Sequence, residues 1–290
     1  MTTWTALTTL PGEDPAQALG EALERLDPAP EGVGVFEIED GSGRWEVGGY
    51  FTEKPDETLL AILAAAFGAG DFSVSELPET DWVAHVRREL HPVEAGRFFV
   101  YGSHDADKLP EGRVGLMIEA AMAFGTGHHA TTQGCLLALD RLVAEGFAPR
   151  NAADIGCGTA VLAMAAARIW VDIPILASDI DAVAVETSAA NAAVNDLAGR
   201  IECIEAAGFD HPRLAEAAPY DLIFANILKG PLIDLAPTMA EHAAPGGRVI
   251  LSGLLTTQAQ DVLDAYHSTG FDLVTRDEIG EWTTFVLTRR

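Results

Sequence analysis

Short apolar runs alternate with amphipathic helical stretches from about residue 134 to the C-terminus, and this alternation limits the fold more than any other feature. Seven runs are typical of strands: helical stretches separate the first five, and the last two form a hairpin. Repeated strand–helix–strand units build a parallel sheet with helices on both faces. We therefore predict a doubly wound α/β domain whose closing hairpin makes one edge of the sheet antiparallel.

The first 76 residues follow a different pattern, which is strand–helix–strand–strand–helix–strand. The turn "GSG" between the second and third strands is a hairpin signal. This order is that of a ferredoxin-like α+β domain, and the segment carries no group of catalytic side chains. A connecting helix is predicted in "ETDWVAHVRREL", within a linker region over residues 77–97. The α/β domain is then predicted over residues 98–290.

The net charge is strongly negative and unevenly distributed. The chain has a formal charge of −26, and residues 1–76 hold 15 acidic and 3 basic residues. Such a surface repels phosphate backbones, so we expect no direct binding of nucleic acid. The acidic N-terminal domain is suited to a basic protein partner.

The cysteines and the hydropathy of the chain indicate its cellular compartment. Cys135, Cys157 and Cys203 are odd in number and lack CxxC spacing, which favours free thiols in a reducing cytoplasm. No apolar run approaches the ~18 residues of a spanning helix, and the N-terminus lacks the features of a signal peptide, so no membrane association is expected. The histidines lack the spacing of a metal site, and we predict no metal.

The stretch "ADIGCGTAVLAMAAA" joins a buried strand to an alanine-rich helix through a turn with two glycines. Gly156 and Gly158 allow the backbone to approach a ligand without a Cβ in the way. Asp154 either holds this turn or accepts a hydrogen bond from a cationic ligand. A GxG pair alone is weak evidence, but its position between a strand and a helix strengthens it.

Asp179 ends the next strand, 23 residues after Gly156, where an acid binds ribose hydroxyls. The glycine turn and Asp179 together predict a ligand with a ribose, but they do not distinguish NAD from other nucleosides. Val161 departs from the dinucleotide fingerprint. An acid followed by GxGxG is typical of S-adenosylmethionine enzymes, and Asp154 fits this pattern although Ala160 replaces the last glycine. With ordinary helical angles Ala160 fits, whereas a positive φ there costs stability.

Two further stretches converge on the same end of the sheet, "AFGTGHHATT" before it and "ANILKGPLIDLAP" after the fourth strand. With "DIGCGTAVLAMAA", "SDIDAVAVETSAANA" and "GGRVILSGLL", they resemble the PrmA family of ribosomal protein L11 methyltransferases in order and spacing. The resemblance covers the chain from about Phe98 to the C-terminus, and the N-terminal domain matches in architecture and position. The family's usual T-H-P is replaced by His128, His129 and Ala130.

The resemblance implies a seven-stranded Rossmann-like methyltransferase domain behind a ferredoxin-like domain that recognises the ribosomal protein. It implies S-adenosylmethionine as cofactor and methylation of lysine side chains, plus the N-terminal amine in some members. By motif position, the cofactor contacts are Thr132, Gly156, Asp179 and Asn226, while Phe124, Gly125 and Thr126 lie beside the methyl donor. Asn226 is the predicted catalytic residue: it cannot act as a base, but its side-chain oxygen can orient the amine.

Three alternatives remain on the sequence alone. The nearest is a related lysine methyltransferase with another protein or a small molecule as substrate. An NAD-dependent oxidoreductase is disfavoured by Val161 and by the final hairpin. A catalytically silent binding module is disfavoured because Asp154, Asp179 and Asn226 are retained together with the glycine pair.

Overall fold

The structure is a computed structural model, and it describes residues 3–26, 28–30, 32–37, 43–77, 92–118 and 129–290. The chain separates into two compact units, Met1–Glu89 and Leu90–Arg290. The predicted connecting helix lies outside the described residues. Among those residues, no helix has the length and apolar character needed to cross a membrane.

The described residues of the first unit form a four-stranded antiparallel sheet and two helices. Its elements are β1 (Thr3–Pro11), α1 (Glu13–Glu24), β2 (Gly32–Glu37), β3 (Arg44–Phe51), α2 (Glu57–Phe67) and β4 (Ser73–Leu77). The strands lie in the order β2-β3-β1-β4, so the first strand is central although it begins the chain. Leu10, Leu19, Leu23 and Val47 are fully buried and form the centre of its core.

The second unit begins with a small three-stranded sheet. It comprises β5 (Val93–Ala95), β6 (Phe98–Tyr101) and β7 (Val114–Met117), with a 3-10 helix over Ser103–Lys108 between the last two. The apolar runs "RFFVYG" and "VGLMIEA" predict β6 and β7, but no run of this kind predicts β5. A strand of three residues is too short to show an alternating pattern.

The other described residues of the second unit form a seven-stranded sheet, six α-helices and the segments that connect them. Its strands are β8 (Ala152–Ile155), β9 (Ile175–Asp179), β10 (Ile201–Glu205), β11 (Tyr220–Asn226), β12 (Ala243–Leu255), β13 (Phe271–Ile279) and β14 (Trp282–Arg289). Its helices are α3 (His129–Ala144), α4 (Val161–Ile169), α5 (Ala182–Val194), α6 (Pro212–Ala217), α7 (Lys229–His242) and α8 (Ala259–Ser268).

The strand order is β10-β9-β8-β11-β12-β14-β13. The first five of these strands run parallel, and β14 is antiparallel to both of its neighbours. The predicted parallel sheet and its closing antiparallel hairpin are therefore confirmed. The chain reverses its direction of winding at β8, between β9 and β11, and such a switch point leaves a crevice at the carboxyl ends of the strands.

Helix α4 packs tightly against the sheet at this point because it is rich in alanine. Ala163, Ala165, Ala166 and Ala167 are each at most 1% exposed, so the helix is buried on several sides. Small side chains let its backbone lie close to β8 and to α3, and this closeness fixes the start of the helix next to the crevice.

Candidate functional site

A cavity of about 770 Å³ opens at the carboxyl ends of β8, β9 and β11. All the predicted site residues that the structure describes line it, namely Thr132, Asp154, Gly156, Gly158, Asp179 and Asn226. Phe124, Gly125 and Thr126 lie outside the described residues. Residues that are up to 94 positions apart in the sequence are thus brought to one place by the parallel sheet.

The two glycines of the turn have different reasons for lacking a side chain. Both have positive φ, 70° at Gly156 and 54° at Gly158. A Cβ at Gly156 would overlap the Ile227 side chain, whereas a Cβ at Gly158 would meet nothing within 4 Å. Gly156 is therefore needed for internal packing as well as for its angle. Gly158 faces open space, and its angle alone favours glycine.

Ala160 also adopts a left-handed conformation, with φ 58° and ψ 26°, directly before α4 begins. The sequence left ordinary helical angles and a positive φ as alternatives at this residue, and the structure has the positive φ. For a residue with a Cβ this conformation costs roughly 1–2 kcal/mol. The alanine methyl is fully buried, which offsets part of that cost.

Asp154 is 2% exposed, and its Oδ2 accepts a hydrogen bond of 3.0 Å from the backbone N–H of Ala163. The carboxyl group therefore holds the turn by binding the first turn of α4, which is one of the two roles predicted for it. Burial and, to a lesser extent, the nearby charge of Asp179 raise the pKa of Asp154 to about 7, against the lowering effect of the Ala163 hydrogen bond.

Asp179 connects the end of β9 to the glycine turn. Its Oδ2 accepts the Gly158 N–H at 2.9 Å, and its Oδ1 accepts the N–H of Asp181 at 3.1 Å. Asp181, and not Asp179, caps α5, because its side chain accepts the Val183 N–H at 2.9 Å. The half-exposed carboxylate of Asp179 retains lone pairs for the two hydroxyls of a ribose.

Asn226 ends β11 beside the first turn of α3. Its Nδ2 donates a long hydrogen bond of 3.5 Å to Thr132 Oγ1. With the amide nitrogen directed to Thr132, the side-chain oxygen makes no hydrogen bond within the part of the chain that the structure describes. It is the group with which Asn226 can accept an N–H from an incoming amine.

Ile227 was not identified from the sequence, yet it sets the position of Asn226. Its side chain packs against Gly156, and its backbone packs against Gly253, where φ is 84° and a Cβ would overlap the Ile227 main chain. A glycine within a strand is a signal for such a close approach. The motif "GGRVILSGLL" contains this glycine, but its partner is visible only in the fold.

The mouth of the cavity carries further residues that sequence reasoning missed. Ile180 and Leu228 line it and are 74% and 64% exposed, which is unusual for large apolar side chains. Asp234 lines it from α7. The spacing of Pro231, Asp234 and Leu235 places them on one helical face, and this periodicity could have indicated them.

The charge of the cavity wall is entirely acidic. Among the described residues that line it there are three aspartates, Asp154, Asp179 and Asp234, and neither lysine nor arginine. Side chains with positive charge favour a pyrophosphate, and the described wall has none, so it is poorly suited to a dinucleotide. It is suited to a nucleoside that carries a positive charge. The Cys157 thiol also lines the cavity, but burial raises its pKa, and it is not a ready nucleophile.

The family model for ribosomal protein L11 methyltransferase (PrmA) matches residues 16–290. A ribosomal protein L11 methyltransferase of Brucella abortus (strain S19) is 48% identical over 238 residues, covering 82% of this chain and 82% of that protein. Another, of Chelativorans sp. (strain BNC1), is 44% identical over 276 residues, covering 93% of this chain and 94% of that protein.

The crystal structure of a ribosomal protein L11 methylase from Lactobacillus delbrueckii subsp. bulgaricus superposes with a TM-score of 0.60 at 26% identity. The superposition covers 69% of this chain and 98% of the Lactobacillus chain. The fold and site thus define a methyltransferase of the α/β class. The chain belongs to the PrmA family of ribosomal protein L11 methyltransferases. The predictions of family, of protein methylation and of S-adenosylmethionine as cofactor are confirmed.

The residues of the cavity fit this cofactor. Its ribose matches the carboxylate at the end of β9, and its positive charge matches a wall with aspartates and without described basic residues. The apolar side chains of Ile180 and Leu228 are suited to the flat faces of a base.

Proposed function

We propose that this cavity binds S-adenosylmethionine with its ribose on Asp179, and that Asn226 orients a lysine amine of ribosomal protein L11 for methylation. The observation that carries the proposal is the convergence of Thr132, Gly158, Asp179 and Asn226 on one cavity whose described wall is acidic. Asp179 and Asn226 do not have to exchange a proton for these roles, since carboxylate and amide oxygens both act as hydrogen-bond acceptors.

The cofactor, when bound, supplies a methyl group on a positively charged sulfur, which an amine can attack in line. The amine must be neutral, and for a free lysine at pH 7 this costs about 5 kcal/mol. Partial desolvation at the cavity lowers this cost by disfavouring the ammonium. The Asn226 oxygen then accepts one N–H and directs the lone pair, and orientation of this kind contributes up to ~7–11 kcal/mol.

The neighbouring groups support this arrangement. Thr132, which is 5% exposed, receives the amide N–H of Asn226 and so determines which end of the amide faces the amine. Ile227, held between Gly156 and Gly253, fixes the backbone next to Asn226. Asp234 at the mouth attracts an ammonium before it loses its proton, because opposite charges raise the encounter rate.

The first unit is proposed to be a ferredoxin-like domain that binds ribosomal protein L11. Its element order and its strand order β2-β3-β1-β4 support the fold assignment. The excess of 15 acidic over 3 basic residues in residues 1–76 supports binding of a basic protein and disfavours direct contact with nucleic acid. A ribosomal substrate implies action in the cytoplasm.

Titration calorimetry with S-adenosylmethionine and, separately, with NAD tests the cofactor site. We expect S-adenosylmethionine to bind and NAD not to bind. Asp179→Ala removes the ribose acceptor and should raise Kd for S-adenosylmethionine about tenfold or more. The matched control is Asp172→Ala, an exposed acid outside the described cavity wall. Equal affinity for NAD, or no effect of Asp179→Ala, would contradict the proposed site.

Substrate binding is tested by neutralising exposed acids of the first unit. The triple variant Glu24→Gln, Glu53→Gln, Asp71→Asn should raise KM for ribosomal protein L11 several-fold at low salt, with kcat unchanged. The control neutralises Asp172, Asp196 and Glu241, which are exposed in the second unit. If the control raises KM as much, total charge and not the first unit is responsible.

A further inference from the structure

Helix α5 carries a stripe of buried polar residues that neither the predicted site nor the mechanism uses. Ser188 and Asn191 lie on the helix, and Asn195 follows its last residue; they are 0%, 1% and 4% exposed. Their spacing of three and four positions places them on one face. Buried polar side chains require hydrogen-bond partners, so the partners of this stripe indicate what it holds.

Two of the three residues bind backbone carbonyls of the turn from Cys157 to Thr159, which is called the cofactor turn below. Ser188 Oγ donates to the Gly158 oxygen at 2.8 Å, and Asn191 Nδ2 donates to the Thr159 oxygen at 3.2 Å. On the opposite side, the Gly158 N–H binds Asp179 at 2.9 Å. The same peptide segment is therefore held through its carbonyls by α5 and through its amide by the end of β9.

Asn195 anchors the stripe to the rest of the unit. Its Oδ1 accepts the Met117 N–H at 2.9 Å, and its Nδ2 donates to the Met117 oxygen at 2.7 Å, as a neighbouring strand would. The main-chain oxygen of Asn195 accepts a hydrogen bond of 2.6 Å from the Arg168 side chain of α4. The end of α5 is thus tied both to β7 and to α4, which begins at the cofactor turn.

We propose that Ser188, Asn191 and Asn195 are positioning residues for S-adenosylmethionine, acting through the conformation of the turn from Cys157 to Thr159. None of the three is among the described residues that line the cavity, so they act through the turn and not by contact with the cofactor. The turn needs this support because Gly158 can adopt many conformations, and because the left-handed angle of Ala160, which is costly for a residue with a Cβ, persists only where its surroundings fix it. The inference rests on the proposed function, which places the cofactor in this cavity.

The test compares Ser188→Ala and Asn191→Ala with the wild-type enzyme by titration calorimetry with S-adenosylmethionine. Each variant leaves a carbonyl of the turn without its donor, and each is expected to raise Kd about tenfold. Kinetics should show a matching rise in KM for the cofactor, with kcat at saturating cofactor within about threefold, because Asn226 is untouched.

Asn151→Ala is the matched control, because Asn151 also binds backbone groups but lies where β8 begins. It should lower Tm and leave Kd within twofold of wild type. A fall in Tm without a change in Kd for both Ser188→Ala and Asn191→Ala would overturn the inference. Ser188→Ala removes a single hydroxyl, so it carries the test if Asn191→Ala does not fold. Failure of the wild-type enzyme to bind S-adenosylmethionine would instead contradict the proposed function.

Discussion

The two ends of β8 and β11 carry the same residue types with opposite consequences. Where these strands begin, both side chains are paired: the Asn151 oxygen accepts the Asp221 N–H at 2.9 Å. The Asp221 carboxylate accepts three hydrogen bonds of 2.8 Å from Arg150. Where they end, Asp154 is buried without a described cationic partner, and the oxygen of Asn226 is free of described partners.

The same contrast appears in the pKa values of the two aspartates. The hydrogen bonds from Arg150 lower the pKa of Asp221, whereas burial raises that of Asp154 to about 7. Ala160, one of two non-glycine residues with a positive φ in the described part of the chain, also lies at the carboxyl end. One end of the sheet thus pairs its polar groups and stabilises the fold, while the other retains a side-chain oxygen without a described partner and a strained alanine, as is common at functional sites.

The largest effect on kcat is expected when Asn226, at the carboxyl end, is compared with Asn151, at the other end. Asn226→Ala should lower kcat about a hundredfold, because the amine loses its orienting acceptor, while cofactor affinity falls only modestly. Steady-state methyl transfer to ribosomal protein L11 measures both values. Asn151→Ala should lower stability and leave kcat within twofold. Unchanged turnover in Asn226→Ala would remove its role as the orienting residue.

The two aspartates should give pH dependences of opposite sign. Since the folded pKa of Asp154 is raised from 3.8 to about 7, its contribution is most favourable below pH 4 and is lost as pH rises towards 7. Asp154→Asn keeps an acceptor for Ala163, so without cofactor it should be more stable than wild type at pH 8 by up to about 4 kcal/mol. Urea unfolding at several pH values measures this difference.

Asp221→Asn is the control for that experiment. The pKa of Asp221 is lowered, so its contribution is present above about pH 3.8 and is lost as pH falls through the folded value. The variant should therefore be less stable than wild type at neutral pH. A difference between wild type and Asp154→Asn that does not change between pH 4 and pH 8 would mean that Asp154 does not titrate in this range.

Strain at the carboxyl end is measured by replacing two buried alanines with glycine. In Ala160→Gly the relief of the left-handed angle offsets the lost methyl, so the free energy of unfolding should change by less than about 1 kcal/mol. In Ala165→Gly, within α4, lost burial and lower helix propensity add up to about 2 kcal/mol of destabilisation. Equal costs at the two sites would show that Ala160 is not strained.

A pair of buried tyrosines outside the described cavity wall measures what a buried hydroxyl without a partner costs in stability. Tyr220 donates its hydroxyl to the Leu214 oxygen at 2.8 Å, whereas the Tyr266 hydroxyl in α8 has no partner among the described residues. Tyr266→Phe should raise the free energy of unfolding by about 1 kcal/mol, and Tyr220→Phe should lower it by a similar amount. Thermal unfolding of both variants decides this. Destabilisation by Tyr266→Phe would point to a partner at that hydroxyl.

Much of the second unit was predictable from the sequence because its signals are local. Alternating helices and strands imply a parallel sheet, and glycine and aspartate at strand ends imply that Asp154, Gly158 and Asp179 meet at the switch point. The insertion of β14 between β12 and β13 was not predictable, since a hairpin pattern does not say which of its strands pairs inward. Strand β5 was missed because of its length.

The supporting contacts of the site were hidden for a different reason. The dependence of Gly156 and Gly253 on Ile227, and the bonds from α5 to the cofactor turn, join segments that are distant in the sequence. The angle at Ala160 depends on how tightly α4 packs against the sheet, which single residue preferences do not encode. Sequence patterns therefore indicate the residues that face a ligand better than those that hold them.

A crystal structure of the enzyme with S-adenosylmethionine bound tests the central claim most directly. We expect the ribose hydroxyls within hydrogen-bond distance of the Asp179 carboxylate, the donated methyl carbon facing the side-chain oxygen of Asn226, and Asn151 unchanged at the other end of β8. A cofactor bound outside this cavity, or a methyl carbon directed away from Asn226, would contradict the account.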